Sequence, residues 1–360
     1  MITRLLVVVS IIGMISGCAK NEPIDSASSE LVNPIWKTQY ADSTVQFIGM
    51  SIVNEDVVWV SGEPDLVVST TDGGENWTAH HIAPNDSLMF RDVHAFSAEE
   101  VIVAELGMRT LARLYRTKDA GESWEIVLQA AQPDRTFDCF SFWDQRGFMA
   151  VSSAQGLIVM KTMDRGVSWN EIAFPNSPAL VPGEHVVAAS GTCALAGING
   201  NGWITTRIPG TGTRVWRTTD YGENWTAHST TVPSGREGEG LASAAFFNSL
   251  EGVAIGRVDS KDDSNTAITS DGGITWTKGG RAVGGVVFGA SVVPGTSAQT
   301  LVAVSRDFGS QYSIDGGQTW TDIGDENFWT VSFLNANAGW AAGQGRISKI
   351  ANSTSKTPDL

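Results

Sequence analysis

The octapeptide Thr70-Thr71-Asp72-Gly73-Gly74-Glu75-Asn76-Trp77 decides the fold, because its pattern, Thr-x-Asp-x-Gly-x-x-Trp, returns five more times along the chain with Ser313 replacing Thr in the last copy. The further copies centre on Asp119, Asp164, Asp220, Asp271 and Asp315, and they end in Trp124, Trp169, Trp225, Trp276 and Trp320. Successive aspartates lie 47, 45, 56, 51 and 44 residues apart. A period of that length houses one small antiparallel sheet per repeat, as in the blades of a propeller.

Each copy reads as a turn. The Asp carboxylate can accept hydrogen bonds from backbone amides just ahead of it, and the hydroxyl two residues earlier can close the other side. The Gly two positions after the Asp supplies a positive φ that a side chain with a Cβ resists. The Trp opens the next strand and carries a large face to bury. On this reading Asp72, Asp119, Asp164, Asp220, Asp271 and Asp315 are structural. A rotationally repeated turn carries its copies to the periphery, so they are not expected to gather into a metal or acid/base cluster, and no metal is predicted.

Working outward, the first repeat alternates apolar and polar residues over Phe47–Val53 and then shows apolar runs at Val57–Ser61, Leu66–Thr70 and Trp77–Ile82, with turn residues between. That is four short strands per blade. After the sixth turn, segments 327–334, 339–343 and 346–350 supply three strands, and Ile35–Tyr40 has the Trp-led form of a fourth. The expectation is therefore an all-β, seven-bladed propeller of four-stranded antiparallel blades over 34–350, its last blade shared by strands from both termini so that no sheet edge stays open. The fourth repeat is the longest, with extra residues around 197–214, and the fifth inserts a polar loop at 259–265.

Residues 1–17 read as a secretion signal: Arg4, an apolar run from Leu5 to Met14, then Ile15-Ser16-Gly17 before Cys18. The run is short for a membrane span. Ile15-Ser16-Gly17-Cys18 resembles the bacterial lipobox, which implies cleavage before Cys18 and its lipidation; an ordinary signal peptide with a chance cysteine is the alternative. Residues 18–33 read as a flexible tether, and 351–360 as a disordered tail. Ala19 and Lys20 lack the acidic residue that resembles an inner-membrane retention signal, which points to the outer membrane, facing the periplasm or the surface.

The formal charge is −15, and loss of Arg4 with the signal makes it −16. So acidic a chain repels nucleic acid and has no electrostatic grip on anionic lipid, which leaves the lipid anchor as the expected membrane attachment. Cys139 and Cys193 fall in consecutive repeats. They can pair in an oxidising envelope, or remain buried thiols in apolar strands. There is no dinucleotide, haem, iron–sulfur or zinc spacing, and no cofactor is expected.

The six turn copies resemble Asp-box (BNR) repeats, and with Trp59-Val60-Ser61-Gly62 and Trp340-Ala341-Ala342-Gly343 the chain is similar to the photosystem II assembly and stability factor family and its bacterial lipoprotein relatives. The resemblance covers 34–350 and implies a non-catalytic scaffold, monomeric, with a protein or peptide partner. Asp boxes also occur in sialidases, so a carbohydrate-active propeller, hydrolytic or glycan-binding, is the alternative. Arg207-Ile208-Pro209 reproduces a sialidase triplet, but it precedes the fourth Asp box rather than the first. Sialidase chemistry further needs a nucleophilic Tyr with a Glu partner, whereas Tyr40, Tyr115, Tyr221 and Tyr312 all fall at positions expected to be peripheral.

Binding propellers work near the axis, which first strands line. Aligning them on Phe47, Phe90, Phe137 and Phe328 places Ile48, Arg91, Asp138 and Trp329 in one ring and Gly49, Asp92, Cys139 and Thr330 in the next, with His94 two residues further on. Arg91, Asp92, His94, Asp138 and Trp329 are the candidate channel-mouth residues. Arg and Trp dominate interface hot spots and suit recognition of a peptide. The alternative is that Arg91 pairs internally with Asp92 or Asp138 and Trp329 belongs to the core.

Overall fold

The computed structural model describes residues 30–82, 88–107, 111–173, 175–187, 189–261 and 263–353. The signal peptide, Cys18, most of the tether and the tail beyond 353 lie outside the described residues. Strands dominate, and the chain is an all-β propeller built from antiparallel sheets.

The sheet count corrects the sequence expectation. There are six blades rather than seven: five four-stranded sheets and one six-stranded sheet that holds both termini. Its strands run in the order Thr330–Asn335, Ala338–Asn352, Pro34–Ile52, Val58–Glu63, Leu66–Thr70 and Thr78–His80. The reason is that two strands are long. Pro34–Ile52 stays extended for 19 residues and Ala338–Asn352 for 15, so neither breaks where a separate seventh blade would begin. Asp42 takes the Thr44 amide and hydroxyl on its own carboxylate, at 3.0 and 2.6 Å, which satisfies the polar stretch without ending the strand. Gln46 then pairs with both Gln344 and Glu63, fusing the terminal strands to the first repeat. The two terminal segments pair directly, Ile35 opposite Ala351, Trp36 opposite Ile350 and Lys37 opposite Lys349.

The turns share one hydrogen-bond pattern. At the first, Thr70 donates its hydroxyl to Asp72 (2.8 Å), the Gly74 amide donates back to that hydroxyl (2.9 Å), and the Asn76 amide donates to the carboxylate (2.9 Å). The set recurs around Asp119, Asp164, Asp220, Asp271 and Asp315. The residue directly after each Asp is left-handed as well, and Ala120, Arg165 and Tyr221 adopt φ of 58, 58 and 60° there without glycine. The closed hydrogen-bond ring compensates the cost of that conformation.

Adjacent sheets are stitched near the axis by side chains of their first strands. The Ala95 amide donates to the Ser51 hydroxyl (3.0 Å), the Phe140 amide to the Asp92 carboxylate (2.8 Å), the Ala196 amide to Ser141 (2.8 Å) and the Ala290 amide to Ser243 (3.1 Å). Cys139 and Cys193, both fully buried, form a disulfide between the third and fourth repeats. Between the sheets lie apolar clusters such as Ile102 and Leu114 of the second repeat against Phe140 and Met149 of the third.

Candidate functional site

The axis is not an open channel. A short 3-10 turn, Gly191–Cys193, enters the fourth sheet across it and touches the first strands of the first, second, third, fifth and sixth repeats. Ser190 caps this turn and donates its hydroxyl to the Phe288 carbonyl (2.9 Å), while Cys193 is bonded to Cys139. Gly191 fits because a Cβ there would lie 2.1 Å from Asp92 Oδ1. The turn is a plug that separates two hollows, a mouth bordered by Val187 and Ala189 and an axial chamber bordered by Gly191 and Thr192.

The ring read from sequence coincides with β-bulges. The ladder skips Ile48 between Phe47 and Gly49, Arg91 between Phe90 and Asp92, Asp138 between Phe137 and Cys139, and Ala242 between Leu241 and Ser243. A bulge re-aims its side chain, and this one turns successive residues to opposite ends of the axis. Arg91 and Trp329 go to the mouth, whereas Asp92 and His94 face the chamber. Asp138 enters neither hollow and lines a cleft with Thr136, Ser152 and His185. The five candidates thus fall into three places.

Around the mouth stand Arg91, Arg257 and Arg306 with Phe288 and Trp329, and no carboxylate among its described lining residues. The Arg306 guanidinium lies 5.1 Å from the Phe288 ring centre and 5.2 Å from that of Trp329, and the two rings are 4.8 Å apart. Arg306 is exposed and its Nε reaches Asp307 at 3.1 Å; Arg257 Nε reaches Asp259 at 2.9 Å. Arg91 Nε is buried without a hydrogen-bond partner. Burial pulls the Arg91 guanidinium below its usual range, against the opposing charges of Glu63 and Asp138.

Asp138 accepts the Ser152 amide (2.9 Å), the Ser152 hydroxyl and the Thr136 hydroxyl (3.0 Å). Burial outweighs these donors and the Arg91 charge, and raises the carboxyl to about 6. Asp92 accepts the amides of Val93 (2.9 Å) and Phe140, yet burial drives it well above the carboxylate range. His94 is wedged against Phe96 and Phe142, with ring centres 4.7 and 4.6 Å away, and burial holds it down to about 4.

Sequence reasoning missed Arg257, Arg306 and Phe288. Phe288 was findable, because Val287-Phe288-Gly289 puts an aromatic in front of the same Gly position as Ile48-Gly49. Arg257 ends the second strand Gly252–Arg257 and Arg306 sits in the loop after the second strand Leu301–Val304, places that alignment of first strands does not reach. Arg207 of the sialidase-like triplet donates to the Arg236 carbonyl (3.0 Å) beside Glu239, and neither the mouth nor the chamber is lined by a tyrosine.

Residues 35–132 match the family model described as photosynthesis system II assembly factor YCF48, and 311–322 match the BNR/Asp-box repeat. A solved propeller described as YCF48 bound to D1 peptide superposes with a TM-score of 0.64 over 89% of this chain and 97% of its own, at 17% identity. The chain is an Asp-box β-propeller resembling the photosystem II assembly factors. The photosystem II assembly lipoprotein Ycf48 of Synechococcus sp. (strain CC9902) is 37% identical over 73 residues, which is 20% of this chain and 21% of that relative's length. An ancestral GH74 enzyme shares the fold too, with a TM-score of 0.61 over 87% of this chain and 46% of its own at 14% identity. Assembly-factor relatives favour a non-enzyme, and the fold by itself is shared with catalysts.

Proposed function

We propose that this propeller is a non-catalytic assembly scaffold of the cell envelope that grips a peptide segment of a partner protein at the arginine–aromatic mouth. The observation that carries the reading is Arg306 standing over Phe288 and Trp329 beside Arg91 and Arg257, in a chain whose net charge is −15. Arginine forks bind carboxylates in a bidentate way, and a guanidinium on aromatic rings is held ready for contact. The favoured segment therefore carries a carboxylate, as an acidic side chain or a chain terminus, next to an apolar residue that can lie against Phe288 and Trp329. The relative solved with a D1 peptide supports a peptide as the class of partner. A hydrolytic role finds less support, since the chamber lining holds one carboxylate, Asp92, and glycoside hydrolysis needs two.

The anchor belongs to the same proposal. Cys18 carries lipid at the end of the tether, the relative named a lipoprotein supports this, and a monomeric propeller works at the outer membrane. A photo-crosslinking residue at position 308, exposed and two residues after Arg306 in the same loop, tests the docking site, with one at Leu250, exposed elsewhere, as the control. Crosslinks from 308 to an acidic or C-terminal segment of a specific membrane protein are expected. Equal capture from both positions would reject the mouth.

A further inference from the structure

The chamber behind the plug has a chemistry of its own. It measures about 220 Å³, and its described lining contains no Lys or Arg. Into it project Asp92 and His94, two residues apart on one strand and so on one face. Neither ring nitrogen of His94 has a hydrogen-bond partner among the described residues, and the hydroxyls of Thr330 and Ser332 are likewise unpaired and face the chamber. Phe140 and Phe246 complete the apolar wall. Asp92, one ring nitrogen of neutral His94 and the hydroxyls thus offer acceptor atoms to the chamber, and no basic side chain on the lining faces them. The plug closes the route to the mouth, so whatever enters comes from the opposite face.

We infer that the axial chamber binds a small primary ammonium group, its N–H donors shared between the Asp92 carboxylate, His94 and the Ser332 hydroxyl, with its alkyl body against Phe140 and Phe246. An ammonium offers three donors to these acceptor atoms and supplies a positive charge that no lining side chain provides. Aromatic walls add to the attraction of a cation. Asp92 is buried to 4% exposure, and burial raises its carboxyl above the usual range, so an ammonium beside it favours the ionised form. His94 is the other titratable group on the lining, and it stays neutral above about pH 4.

The test is calorimetry on the whole folded domain with n-butylamine against n-butanol, which has the same chain without the charge. Butylamine should bind at least about tenfold more tightly. Asp92→Asn should weaken binding by about tenfold or more. Since Asp92 also holds the Phe140 amide, Ser332→Phe is the second variant: it fills the chamber without touching that bond and should abolish binding. Arg306→Glu should leave it unchanged. An end-blocked lysine tripeptide separates the two sources of such a group, binding if a protein side chain can reach in and failing if only free amines fit. Equal affinity for amine and alcohol, binding that survives Ser332→Phe, or no heat at about 10 mM amine, where even a millimolar Kd would register, would overturn the proposal.

Discussion

Asp72 on the rim and Asp92 on the axis both accept backbone amides, and they end up on opposite sides of the ordinary carboxylate range. Asp72 is lowered to about 2, chiefly by the Asn76 amide and side chain, with the Thr70 hydroxyl adding to them. Asp92 rises well above it because burial outweighs the amides of Phe140 and Val93. The rim turn keeps its charge solvated and satisfied by its own residues; the axis removes water and assembles its partners from distant repeats. Desolvation decides the sign once water is excluded, even with two amide donors present. The rim copies are therefore interchangeable parts of the fold, whereas axial residues are individual, and chemistry belongs with the individuals.

Each expected effect probes that division. The largest comes from neither region but from the closure that holds both together: deleting 34–40 unpairs Ala351, Ile350 and Lys349 and removes the Trp36 indole from Ser310, 2.8 Å away. Cooperative unfolding should be lost or the protein should aggregate through the open edge. A deletion variant that melts like the parent would mean that the fused terminal sheet is not what closes the ring.

Next in size is the plug. Replacing Cys139 and Cys193 with Ala removes a cross-link spanning 54 residues, and loop-closure entropy puts the loss at about 4 kcal/mol. Chemical denaturation of the variant and of the oxidised parent measures it. A loss confined to well under 1 kcal/mol would show the axis already fixed by its stitches.

The pH response should differ in sign between the two regions. Asp72 and Asp119 have folded values lowered to about 2, so their contribution is present above the unfolded carboxylate value near pH 4 and disappears as pH falls from there towards 2. Asp138 is raised to about 6, so its contribution is complete below about pH 4 and is lost as pH rises through 6. Unfolding free energy should decline between pH 4 and 7, with about 2–3 kcal/mol of that decline traceable to Asp138. Asp138→Asn should remove that share of the decline, leaving the part that belongs to the likewise raised Asp92, and leave the acid arm in place. An unchanged slope in the variant would place the titration elsewhere.

The smallest change is expected on the rim. Asp164→Ala deprives the Ser168 amide and the Ser168 and Thr162 hydroxyls of their acceptor, but the Ser168 amide is exposed and can turn to water, so about 1 kcal/mol should be lost. A drop of several kcal/mol would mean that one turn propagates its disorder through the sheet.

What the sequence made legible follows the same line. An Asp-box turn needs only residues within a few positions of its Asp, so its pattern announces itself wherever it occurs. The sheet count was lost because nothing local marks Asp42–Thr44 as extended; Gln46 has to meet Gln344 before the sheets fuse. Arg91 and Trp329 reach the mouth together, as alignment of first strands suggested, but Asp92 and His94 turn away because a bulge reverses the pattern at Arg91. Arg257 and Arg306 join Phe288 only through tertiary proximity, and the plug depends on Gly191 meeting Asp92 across repeats. The Cys139–Cys193 pairing is of that kind too, open in the sequence and closed only by the plug.

The central claim, that partner recognition sits at the mouth and not on the rim, is tested most directly by one crosslinking measurement on three proteins that are all folded at the working temperature. With the photo-reactive residue at 308, the parent, Arg306→Glu and Asp164→Ala are illuminated on native membranes and the yield of the partner adduct is compared. The account predicts parent-like yield from Asp164→Ala and a loss of at least about tenfold from Arg306→Glu, with only a small drop in the melting temperature of Arg306→Glu, because the side chain is exposed and loses a surface ion pair to Asp307 and its stacking over Phe288 and Trp329, about 1 kcal/mol together. Full yield from Arg306→Glu, together with loss from Asp164→Ala, would contradict it and move recognition to the rim.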